Sequence, residues 1–458
     1  MKHSAAILIA KTILRLNRLT GSGGTAMPGL VAKKLYPDIL KALAEINFPD
    51  GVIVVTGTNG KTTTSKMISD ILTKAGISHI HNRAGSNLER GIIATILEHA
   101  DSKGRCKARM GLFEVDEAYV PSVSSQLQPR YIVITNLFRD QLDRYGELDK
   151  TATRLGDALL KLNTKAILNA DDPLVASLGL NLKDDKRVVY FGISDYKGNK
   201  TEHDYALDSV FDPNTGDMLK YSQRYFGHLG IYSAPNSSFK RPKPSVDLVS
   251  MLKNDQEGSK FEVENEKTKL NLQLPLGGTY NIYNALAAVA LAITMGLEPK
   301  AVELALAESS AAFGRMETIE YDERKLLLLL IKNPTGFNQI IQTYLKSDLQ
   351  KPLWLIINDK LADGRDVSWL WDSALEDIKD YAGAIVVSGT RAYDMALRLK
   401  YAGIDKNVSI EPELEDGLRA VINKVQVGET VHVLPTYTAM LALREKLVKD
   451  TKGKEFWQ

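Results

Sequence analysis

Two hydrophobic periodicities alternate along most of the chain. Apolar residues at intervals of three and four predict helices at residues 4–19, 37–46, 63–75, 149–162 and 281–295. Short runs of apolar and β-branched residues, bounded by turn formers, predict strands at residues 51–55, 110–115, 131–135, 165–169 and 188–192. Because these strands and helices alternate, we expect an α/β fold with a mostly parallel sheet and crossover helices.

This alternation is interrupted once and then resumes. From about residue 194 to 271 the chain becomes polar, aromatic and rich in turn formers, which indicates an inserted subdomain. Further strands are predicted after residue 318, at residues 325–331, 353–357, 384–387 and 430–434. We therefore predict an N-terminal helical arm, a central domain and a C-terminal α/β domain, over residues 1–46, 47–317 and 318–458.

The composition is that of a large globular enzyme. Of 458 residues, 44% are apolar and 25% are charged, and no apolar run is long enough for a transmembrane segment. The net charge of +2 argues against nucleic acid as the main partner. Cys106 is the single cysteine, so we expect no internal disulfide, no cysteine-based zinc site and a cytoplasmic protein. We expect the first helix to pack on the core, with a membrane-surface contact as the alternative.

A glycine-rich turn between the first strand and the next helix has the features of a phosphate loop. Its members are Gly57, Thr58, Asn59, Gly60, Lys61, Thr62 and Thr63. Glycines let backbone N–H groups approach phosphate oxygens, a lysine reaches the terminal phosphates, and a threonine hydroxyl can bind Mg²⁺. Only two residues separate Gly57 from Gly60, where the common phosphate loop has four. An ordinary tight turn is the alternative interpretation.

Several further motifs follow this loop in a fixed order. They are Glu114-Val-Asp116, Ile134-Thr-Asn136-Leu, Leu168-Asn169-Ala-Asp171-Asp172-Pro, Gly278-Thr-Tyr-Asn281-Ile-Tyr-Asn284 and Phe313-Gly-Arg315-Met-Glu317. Together with the loop they resemble the Mur ligases, which have the folylpolyglutamate synthetases as relatives. The resemblance spans residues 51–317 and implies a central P-loop ATPase domain followed by a Rossmann-like α/β domain.

The resemblance also implies roles for individual residues. Lys61 and Glu114 would be catalytic, with Mg²⁺ on Thr62 and Glu114, where a carboxylate supplies the hard oxygen that the ion prefers. ATP would be bound by the loop together with Asn136, Asn281 and Arg315. Taken one at a time, each of these three could equally be a helix cap or a surface residue.

Two positions depart from the usual Mur-ligase pattern. Gln141 stands where most relatives have a histidine that binds a second magnesium ion, and an amide is a weaker metal ligand. The lysine that many relatives carbamoylate would fall near Arg154 and Leu155, where there is no lysine. Binding of a second Mg²⁺ is therefore left open, with Asp140 or Asp143 as other possible ligands.

The insertion carries two knuckle-like segments, at residues 212–215 and 234–237. They have the layout of a zinc ribbon found in one branch of the family, MurT, but every cysteine is replaced. Zinc requires thiolate or imidazole ligands at such positions. We therefore expect a ribbon-like subdomain that is held by packing and binds no zinc.

The C-terminal domain also resembles the MurT branch. Residues 332–338 and 357–372 carry Lys-Asn-Pro-Thr-Gly and Ala-Asp-Gly-Arg-Asp-Val-Ser-Trp in place of the usual ligase motif. This resemblance implies ATP-dependent amidation of the D-glutamate α-carboxylate of lipid II, with ammonia from a GatD-like glutaminase in a heterodimer. One aspartate of this domain, Asp363 or Asp366, would orient the catalytic histidine of that partner.

Two other functions remain possible from the sequence alone. The first is an amino-acid-adding Mur or folylpolyglutamate ligase, although its Asp-x-Ala-His motif is absent here. The second is a nucleotide-binding scaffold without catalysis. For the amidation reaction we expect a cytoplasmic enzyme that works at the inner face of the cell membrane, where lipid II lies.

Overall fold

The computed structural model describes residues 2–20, 27–82, 86–140, 148–182, 184–195, 207–310 and 315–451. The chain divides into two compact units. The first comprises Met1–Phe138, Glu147–Lys200 and Ser209–Ser309, and the second comprises Arg139–Gly146, Thr201–Asp208 and Ser310–Gln458. The longest segment of the second unit begins at residue 310, whereas the C-terminal domain was expected to begin at residue 318.

The first unit is built on a nine-stranded sheet. Its strands are β1 Gly51–Thr56, β2 His79–His81, β3 Met110–Glu114, β4 Tyr131–Ile134, β5 Lys165–Asn169, β6 Val188–Ile193, β9 Val246–Asp255, β10 Gly258–Glu264 and β11 Lys269–Leu274. Their order is β11-β10-β9-β6-β5-β4-β1-β3-β2, and all neighbouring pairs are parallel except β9 with β10 and β10 with β11. Strands β1, β3 and β4 are almost fully buried, as expected for parallel strands covered on both faces.

Helices pack on this sheet and supply most of its apolar cover. They are α1 Lys2–Thr20, α2 Met27–Leu35, α3 Ile39–Ile46, α4 Lys61–Lys74, α5 Glu89–His99, α6 Val120–Leu127, α7 Leu148–Lys161, α8 Pro173–Leu180, α9 Thr279–Met295 and α10 Pro299–Ala307. The alanine-rich α9 is buried along most of its length, because small side chains let it lie close to the sheet and to α4. The helices predicted at residues 1–46 belong to this unit, since Ile7, Leu40 and Leu43 are buried in its core.

The predicted insertion of about 194–271 is only partly a separate piece. Its first half contains the hairpin of β7 Lys220–Phe226 and β8 Leu229–Ser233, which forms a two-stranded sheet of its own. From residue 246 onward the chain returns to the main sheet as β9, β10 and β11. The regular alternation of buried and exposed residues in β11 shows why, since one face of that strand covers the core.

The second unit contains a six-stranded sheet. Its strands are β12 Arg315–Tyr321, β13 Arg324–Leu329, β14 Leu353–Ile356, β15 Ile385–Ser388, β16 Val408–Ile410 and β17 Thr430–Pro435, in the order β12-β13-β17-β14-β15-β16. Only β12 is antiparallel to its neighbour. The helices are α11 Pro334–Ile340, α12 Ala392–Tyr401, α13 Leu414–Asn423 and α14 Tyr437–Thr451. Apolar clusters lie on both faces of this sheet, as the alternating pattern predicts.

Among the residues described above, no helix combines the length and the apolar character that crossing a membrane requires.

Candidate nucleotide site

The glycine-rich loop lies at the carboxyl end of the central strand β1. Strand β1 pairs with β3 on one side and with β4 on the other, so the chain reaches the two neighbours of β1 in opposite directions. In open parallel sheets, ligands bind in the crevice at the carboxyl ends of the strands beside such a switch. The loop of residues 57–60 therefore occupies the position where this fold places a ligand.

Two glycines in the loop are required by its geometry. Gly57 and Gly60 have φ angles of 126° and 87°, in the region that residues with a Cβ rarely adopt. A Cβ on Gly57 would lie 2.2 Å from Thr135 Oγ1, and a Cβ on Gly60 would lie 2.0 Å from Asn284 Oδ1. Both distances are severe overlaps, so the loop accepts only glycine at these positions.

Helix α4 begins directly after the loop, at Lys61. Its N-cap residue is Gly60, which has no side chain to accept hydrogen bonds from the first turn. The first N–H groups of a helix have no partner within the helix and carry partial positive charge. A helix of 14 residues that begins in this way offers these N–H groups to an anion such as a phosphate.

Lys61 is buried and lies between backbone and carboxylate oxygens. Its Nζ donates to Gly57 O at 2.7 Å and lies 3.1 Å from Glu117 Oε2 and 3.5 Å from Asp116 Oδ1. A buried ammonium group is costly unless it is paired, so these carboxylates stabilise it. The sequence did not single out Glu117, and it gave Asp116 only as part of the Glu114-Val-Asp116 motif. Their signal was the position directly after β3, beside the end of β1.

The side chains of Thr62 and Glu114, the two predicted magnesium ligands, are in contact. The Thr62 hydroxyl donates to Glu114 Oε1 at 3.2 Å. Asn82 holds the end of β3 by accepting from Glu114 N at 2.8 Å and donating to Glu114 O at 3.0 Å. The two side chains supply one hydroxyl and one carboxylate oxygen, both hard donors suited to Mg²⁺.

These two donors fit a magnesium ion that is bound mainly through a nucleotide. No set of three His, Cys, Asp or Glu side chains that could hold a metal by itself occurs among the described residues. Mg²⁺ commonly uses one or two protein oxygens and completes its six ligands with phosphate and water. The residues present are therefore compatible with Mg²⁺ bound together with a nucleotide.

Asn136 orders the loop through its side chain. Asn136 Oδ1 accepts from Asn59 N at 2.9 Å, and its Nδ2 donates to Asn59 O at 3.0 Å. The backbone continues the contact, because Thr58 N donates to Asn136 O at 2.9 Å. Both ends of the Asn136 amide thus bind the loop. Asn136 is thus tied to the loop, and its contact with a nucleotide stays a prediction.

The neighbouring aspartates Asp171 and Asp172 are buried, and Asp172 binds the backbone next to Asn136. Asp172 Oδ2 accepts from Leu137 N at 2.7 Å, while its Oδ1 accepts from two N–H groups of the first turn of α8. Asp171 is fully buried and accepts from Arg241 Nε at 2.5 Å and from the Tyr283 hydroxyl at 2.6 Å. Burial raises the pKa of the Asp171 carboxyl above its usual range.

The start of α9 also contacts the loop region. Asn281 is buried and donates through Nδ2 to Gly277 O at 2.8 Å. Asn284, one turn later, accepts from the Thr64 hydroxyl at 3.3 Å and lies against Gly60. The sequence motif singled out Asn281 for nucleotide binding. The structure brings Asn284 to the loop itself, and Asn281 accepts from Asn284 Nδ2 at 3.4 Å.

The side chains of Arg315, Gln141 and Asp143 lie outside the described residues. The backbone of Arg315 begins β12 in the second unit, but its side chain lies outside the described residues. Gln141 and Asp143 also lie outside them. The expected role of Arg315 and the question of a second Mg²⁺ therefore remain as the sequence left them. Within the second unit, the carboxylate of Asp140 pairs with Lys332 Nζ at 2.6 Å.

The two candidate aspartates of the second unit differ in their surroundings. Asp363 is buried, and it accepts from Thr438 N at 2.7 Å, from the Thr438 hydroxyl at 2.5 Å and from Lys360 N at 3.2 Å. Burial raises the pKa of its carboxyl despite these hydrogen bonds. Asp366 is exposed and accepts from Ser368 N at 2.8 Å. Asp363 therefore holds the start of α14, whereas Asp366 faces solvent.

The two knuckle-like segments of the hairpin region are joined by a hydrogen bond. The Ser237 hydroxyl donates to Asp212 Oδ2 at 2.5 Å, and Asp212 Oδ1 accepts from Asn214 N at 2.9 Å. Ser237 Oγ also accepts from Phe239 N at 3.1 Å. A small apolar cluster that includes Tyr232 and Phe239 packs beside them. These contacts join the two segments at positions where a zinc ribbon has cysteines.

Two protein-family models match the chain. The model described as Mur ligase middle domain matches residues 55–232, and the model described as MurT ligase C-terminal matches residues 330–440. The first match contains the glycine-rich loop with Glu114 and Asn136. The second match contains Asp363 and Asp366.

Curated relatives and solved structures agree with these matches. The "Lipid II isoglutaminyl synthase (glutamine-hydrolyzing) subunit MurT" of Staphylococcus aureus (strain COL) is 31% identical over 99% of both chains. Its counterpart from Streptococcus pneumoniae (strain ATCC BAA-255 / R6) is 34% identical over 93% of this chain and 92% of its own length. A pseudomurein peptide ligase type C from Methanothermus fervidus matches in structure with a TM-score of 0.70 at 21% identity, covering 90% of this chain and 81% of the other. This structural match confirms the predicted Mur-ligase-like α/β fold.

Proposed function

The chain belongs to the MurT family of Mur ligases, and on that premise we propose that it is the synthetase subunit of a lipid II isoglutaminyl synthase. The MurT resemblance found in the sequence is confirmed by relatives that match over nearly the whole chain. The reaction is the ATP-dependent conversion of the D-glutamate α-carboxylate of lipid II to its amide. The product carries D-isoglutamine in the stem peptide.

The chemistry requires activation of a poor electrophile. A carboxylate oxygen of the stem peptide attacks the γ-phosphorus of ATP, the bond to the bridging oxygen breaks, and ADP leaves. Ammonia then attacks the carbonyl carbon of the acyl phosphate, loses a proton, and inorganic phosphate departs as the carbon–oxygen bond breaks. Because no protein group becomes covalently attached, the residues contribute placement and neutralisation of charge.

Each group of the loop has a part in that placement. The N–H groups at the start of α4 would bind phosphate oxygens, and Lys61 would exchange its present carboxylate partners for the terminal phosphates. Thr62 and Glu114 would hold Mg²⁺, which neutralises phosphate charge when bound. Asn136 would keep Asn59 and the loop in the receptive shape. Asn281 and Arg315 remain our proposed further nucleotide contacts.

The observation that carries this proposal is the position of Lys61. Its ammonium group is buried beside the loop carbonyl of Gly57 and within reach of two carboxylates, at the carboxyl end of the central strand. An ordinary tight turn, which was the alternative interpretation of the sequence, does not require a buried lysine, and burying its charge is costly. The ammonium group of Lys61 is therefore already close to the place where the loop would bind a phosphate.

Ammonia has to come from another chain, because Cys106 is unsuited to glutamine hydrolysis. A glutaminase of the cysteine type needs a thiolate. Burial raises the pKa of the Cys106 thiol to about 11, so the thiol stays protonated at neutral pH. We therefore assign glutamine hydrolysis to a GatD-like partner in a heterodimer.

Asp366 is our candidate for the residue that orients the catalytic histidine of that partner. Its carboxylate is exposed, as a contact with another protein requires, and it lies in the segment matched by the MurT C-terminal model. Asp363, the other candidate, already accepts three hydrogen bonds within its own unit. The geometry thus favours Asp366 over Asp363 for this role.

A choice of nucleophiles tests the proposed reaction. Purified protein is incubated with ATP, Mg²⁺ and lipid II, and with either ammonia or a panel of amino acids. We expect phosphate release and an amidated stem peptide, about one dalton lighter than the substrate, with ammonia only. A product lengthened by one amino acid would instead identify the amino-acid-adding ligase, and binding of ATP without any product would identify the scaffold.

Because the substrate is anchored in a bilayer, we also propose that the reaction takes place in the cytoplasm at the inner face of the membrane.

A further inference from the structure

Helix α1 has apolar residues on two opposite faces. One face carries Ala6, Ile7 and Ala10, which are completely buried against the first unit. Lys11 strengthens the attachment by donating to Leu97 O at 3.0 Å and to Ala100 O, at the end of α5. The helix is therefore held to the unit along its inner face. Its outer face needs a separate explanation.

The outer face exposes three large aliphatic side chains. Leu8, Ile9 and Leu16 have 59%, 44% and 54% of their surface accessible to solvent. At about 100° per residue, these side chains and the exposed Ala5 and Thr12 share one arc of about 100°. A helix at the surface of a globular unit normally presents polar residues on this side. Contiguous exposed apolar surface commonly marks an interaction site.

The N-terminal segment that contains α1 carries only positively charged side chains. The first 37 residues contain six basic residues and no acidic one, whereas the whole chain has a net charge of only +2. The six are Lys2, Lys11, Arg15, Arg18, Lys33 and Lys34. Arg15 is exposed directly beside the apolar arc on α1, and Lys34 is exposed at the end of α2. The segment thus combines apolar side chains with cations.

We propose that the outer face of α1 binds the surface of an anionic phospholipid bilayer, with Leu8, Ile9 and Leu16 inserted among the acyl chains. Helices that lie in a membrane interface combine an apolar face with basic residues in this way. The anionic headgroups complement the exposed cations Arg15 and Lys34, in a segment whose first 37 residues contain no carboxylate side chain. Lys33 is paired with Glu89 of α5 and does not count among these cations. The outer face of α1 also contains no Phe, Tyr or Trp and no acidic residue, so it offers few of the side chains that commonly anchor a protein partner.

This inference rests on the proposed function only for its purpose, which is to bring the enzyme to a lipid-anchored substrate. Binding to a bilayer itself needs neither ATP nor lipid II. The three aliphatic side chains lie on α1, and none of the proposed nucleotide contacts belongs to that helix. Membrane binding and amidation are therefore separable by experiment.

The test is co-sedimentation of the full chain with vesicles, without nucleotide. Vesicles of phosphatidylglycerol and phosphatidylcholine in equal parts are compared with vesicles of phosphatidylcholine alone. The variant carries Leu8→Gln, Ile9→Gln and Leu16→Gln, which alter exposed side chains and so should not disturb folding. The matched control carries Leu160→Gln, Leu180→Gln and Leu304→Gln, at helix positions of the same unit that are 53%, 53% and 41% exposed.

We expect the wild-type chain and the control to bind the anionic vesicles at least about tenfold more tightly than the neutral ones. The α1 variant should lose about tenfold or more of this affinity, and raising the salt should weaken wild-type binding because exposed charges are screened. Circular dichroism and amidation of a water-soluble lipid II analogue should be unchanged in the α1 variant, which separates a failure of this proposal from a failure of the proposed function.

Three results would overturn the proposal. The first is equal binding of the wild-type chain to neutral and anionic vesicles, or binding to neither. The second is undiminished binding by the α1 variant. The third is covering of this face by protein, seen as a dimer in light scattering, or as a complex with the glutaminase, that the α1 variant alone fails to form.

Discussion

The phosphate loop of the first unit and the loop of the second unit that contains Asp363 and Asp366 differ in how far their functional side chains are buried. In the first, Lys61, Asn136 and Glu114 come from distant parts of the chain and are buried around one short turn. In the second, Asp363 is buried by its own unit while Asp366, three residues later, remains exposed. The side chains that surround the first loop in the structure all belong to one unit. The second leaves the carboxylate of Asp366 exposed to solvent.

This difference separates two kinds of functional residue. A group that handles phosphate charge works best when burial and fixed hydrogen bonds hold it in place. A group that acts on a partner's histidine has to remain at the surface until the partner arrives. On this account the ATP reaction depends on the first loop and does not need Asp366, whereas the use of glutamine depends on both.

The largest effect is expected from removing the buried cation of the first loop. Lys61→Ala should lower amidation by roughly a thousandfold with ammonia and with glutamine alike, because the terminal phosphates lose a buried positive charge. Phosphate release and product mass would be measured with each nitrogen source. Lys66→Ala is the control, since Lys66 lies on the same helix and pairs with Asp70. Activity within tenfold of wild type in Lys61→Ala would contradict the assignment of this loop.

The second-largest effect should appear with one nitrogen source only. Asp366→Asn is expected to lower glutamine-dependent amidation by roughly a hundredfold and to leave ammonia-dependent amidation within about twofold, because orientation of the partner's histidine is lost while ATP chemistry is intact. Asp380→Asn, at another exposed aspartate of the second unit, is the control. Equal loss with both nitrogen sources would place Asp366 in the synthetase reaction instead.

A smaller effect, on stability, should distinguish Asp363 from Asp366. Asp363→Ala leaves Thr438 N, the Thr438 hydroxyl and Lys360 N without their acceptor, and we expect the free energy of unfolding to fall by about 2–3 kcal/mol. Asp366→Ala should change it by less than about 0.5 kcal/mol, as exposed substitutions usually do. Urea unfolding followed by circular dichroism would measure both. Similar values for the two variants would show that burial does not separate them.

The smallest expected effect concerns pH and the second unit. Burial in β17 lowers the pKa of His432 to about 4 from an ordinary value near 6.5. Below pH 6.5 the unfolded chain binds a proton that the folded chain does not, so stability is lost as the pH falls toward 4. Between pH 7 and pH 5 this loss amounts to about 2 kcal/mol. His432→Leu should remove that part of the pH dependence of urea unfolding. An unchanged slope would mean that other groups cause it.

Much of the first loop could be predicted from the sequence, because its key residues lie close together along the chain. Glycines, lysine and threonine follow a β-branched strand directly, and the strand ends supply Glu114 and Asn136. The role of Asn136 in ordering Asn59 could not be predicted, since it depends on a contact across 77 residues. Glu117 was missed for the same reason, as its partner Lys61 is 56 residues away.

The second loop shows where local sequence is insufficient. Asp363 and Asp366 both lie among glycine and charged residues that favour turns, so local pattern does not rank them. The two aspartates differ because Thr438, 75 positions after Asp363, donates hydrogen bonds to both carboxylate oxygens of Asp363. The extent of the insertion was overestimated because turn-rich composition hid strands β9–β11. The alternation Leu270-Asn-Leu272-Gln-Leu274 was a usable sign of β11.

The most direct test of the central claim, that ATP bound at residues 57–62 activates a carboxylate of lipid II, follows an oxygen atom. Lipid II labelled with ¹⁸O in the D-glutamate α-carboxylate is incubated with the enzyme, ATP, Mg²⁺ and ammonia, and the released phosphate is examined by mass spectrometry. An acyl phosphate leaves one carboxylate oxygen on each phosphate, so we predict one ¹⁸O per phosphate released. Phosphate without label, formed while the amide accumulates, would contradict the account.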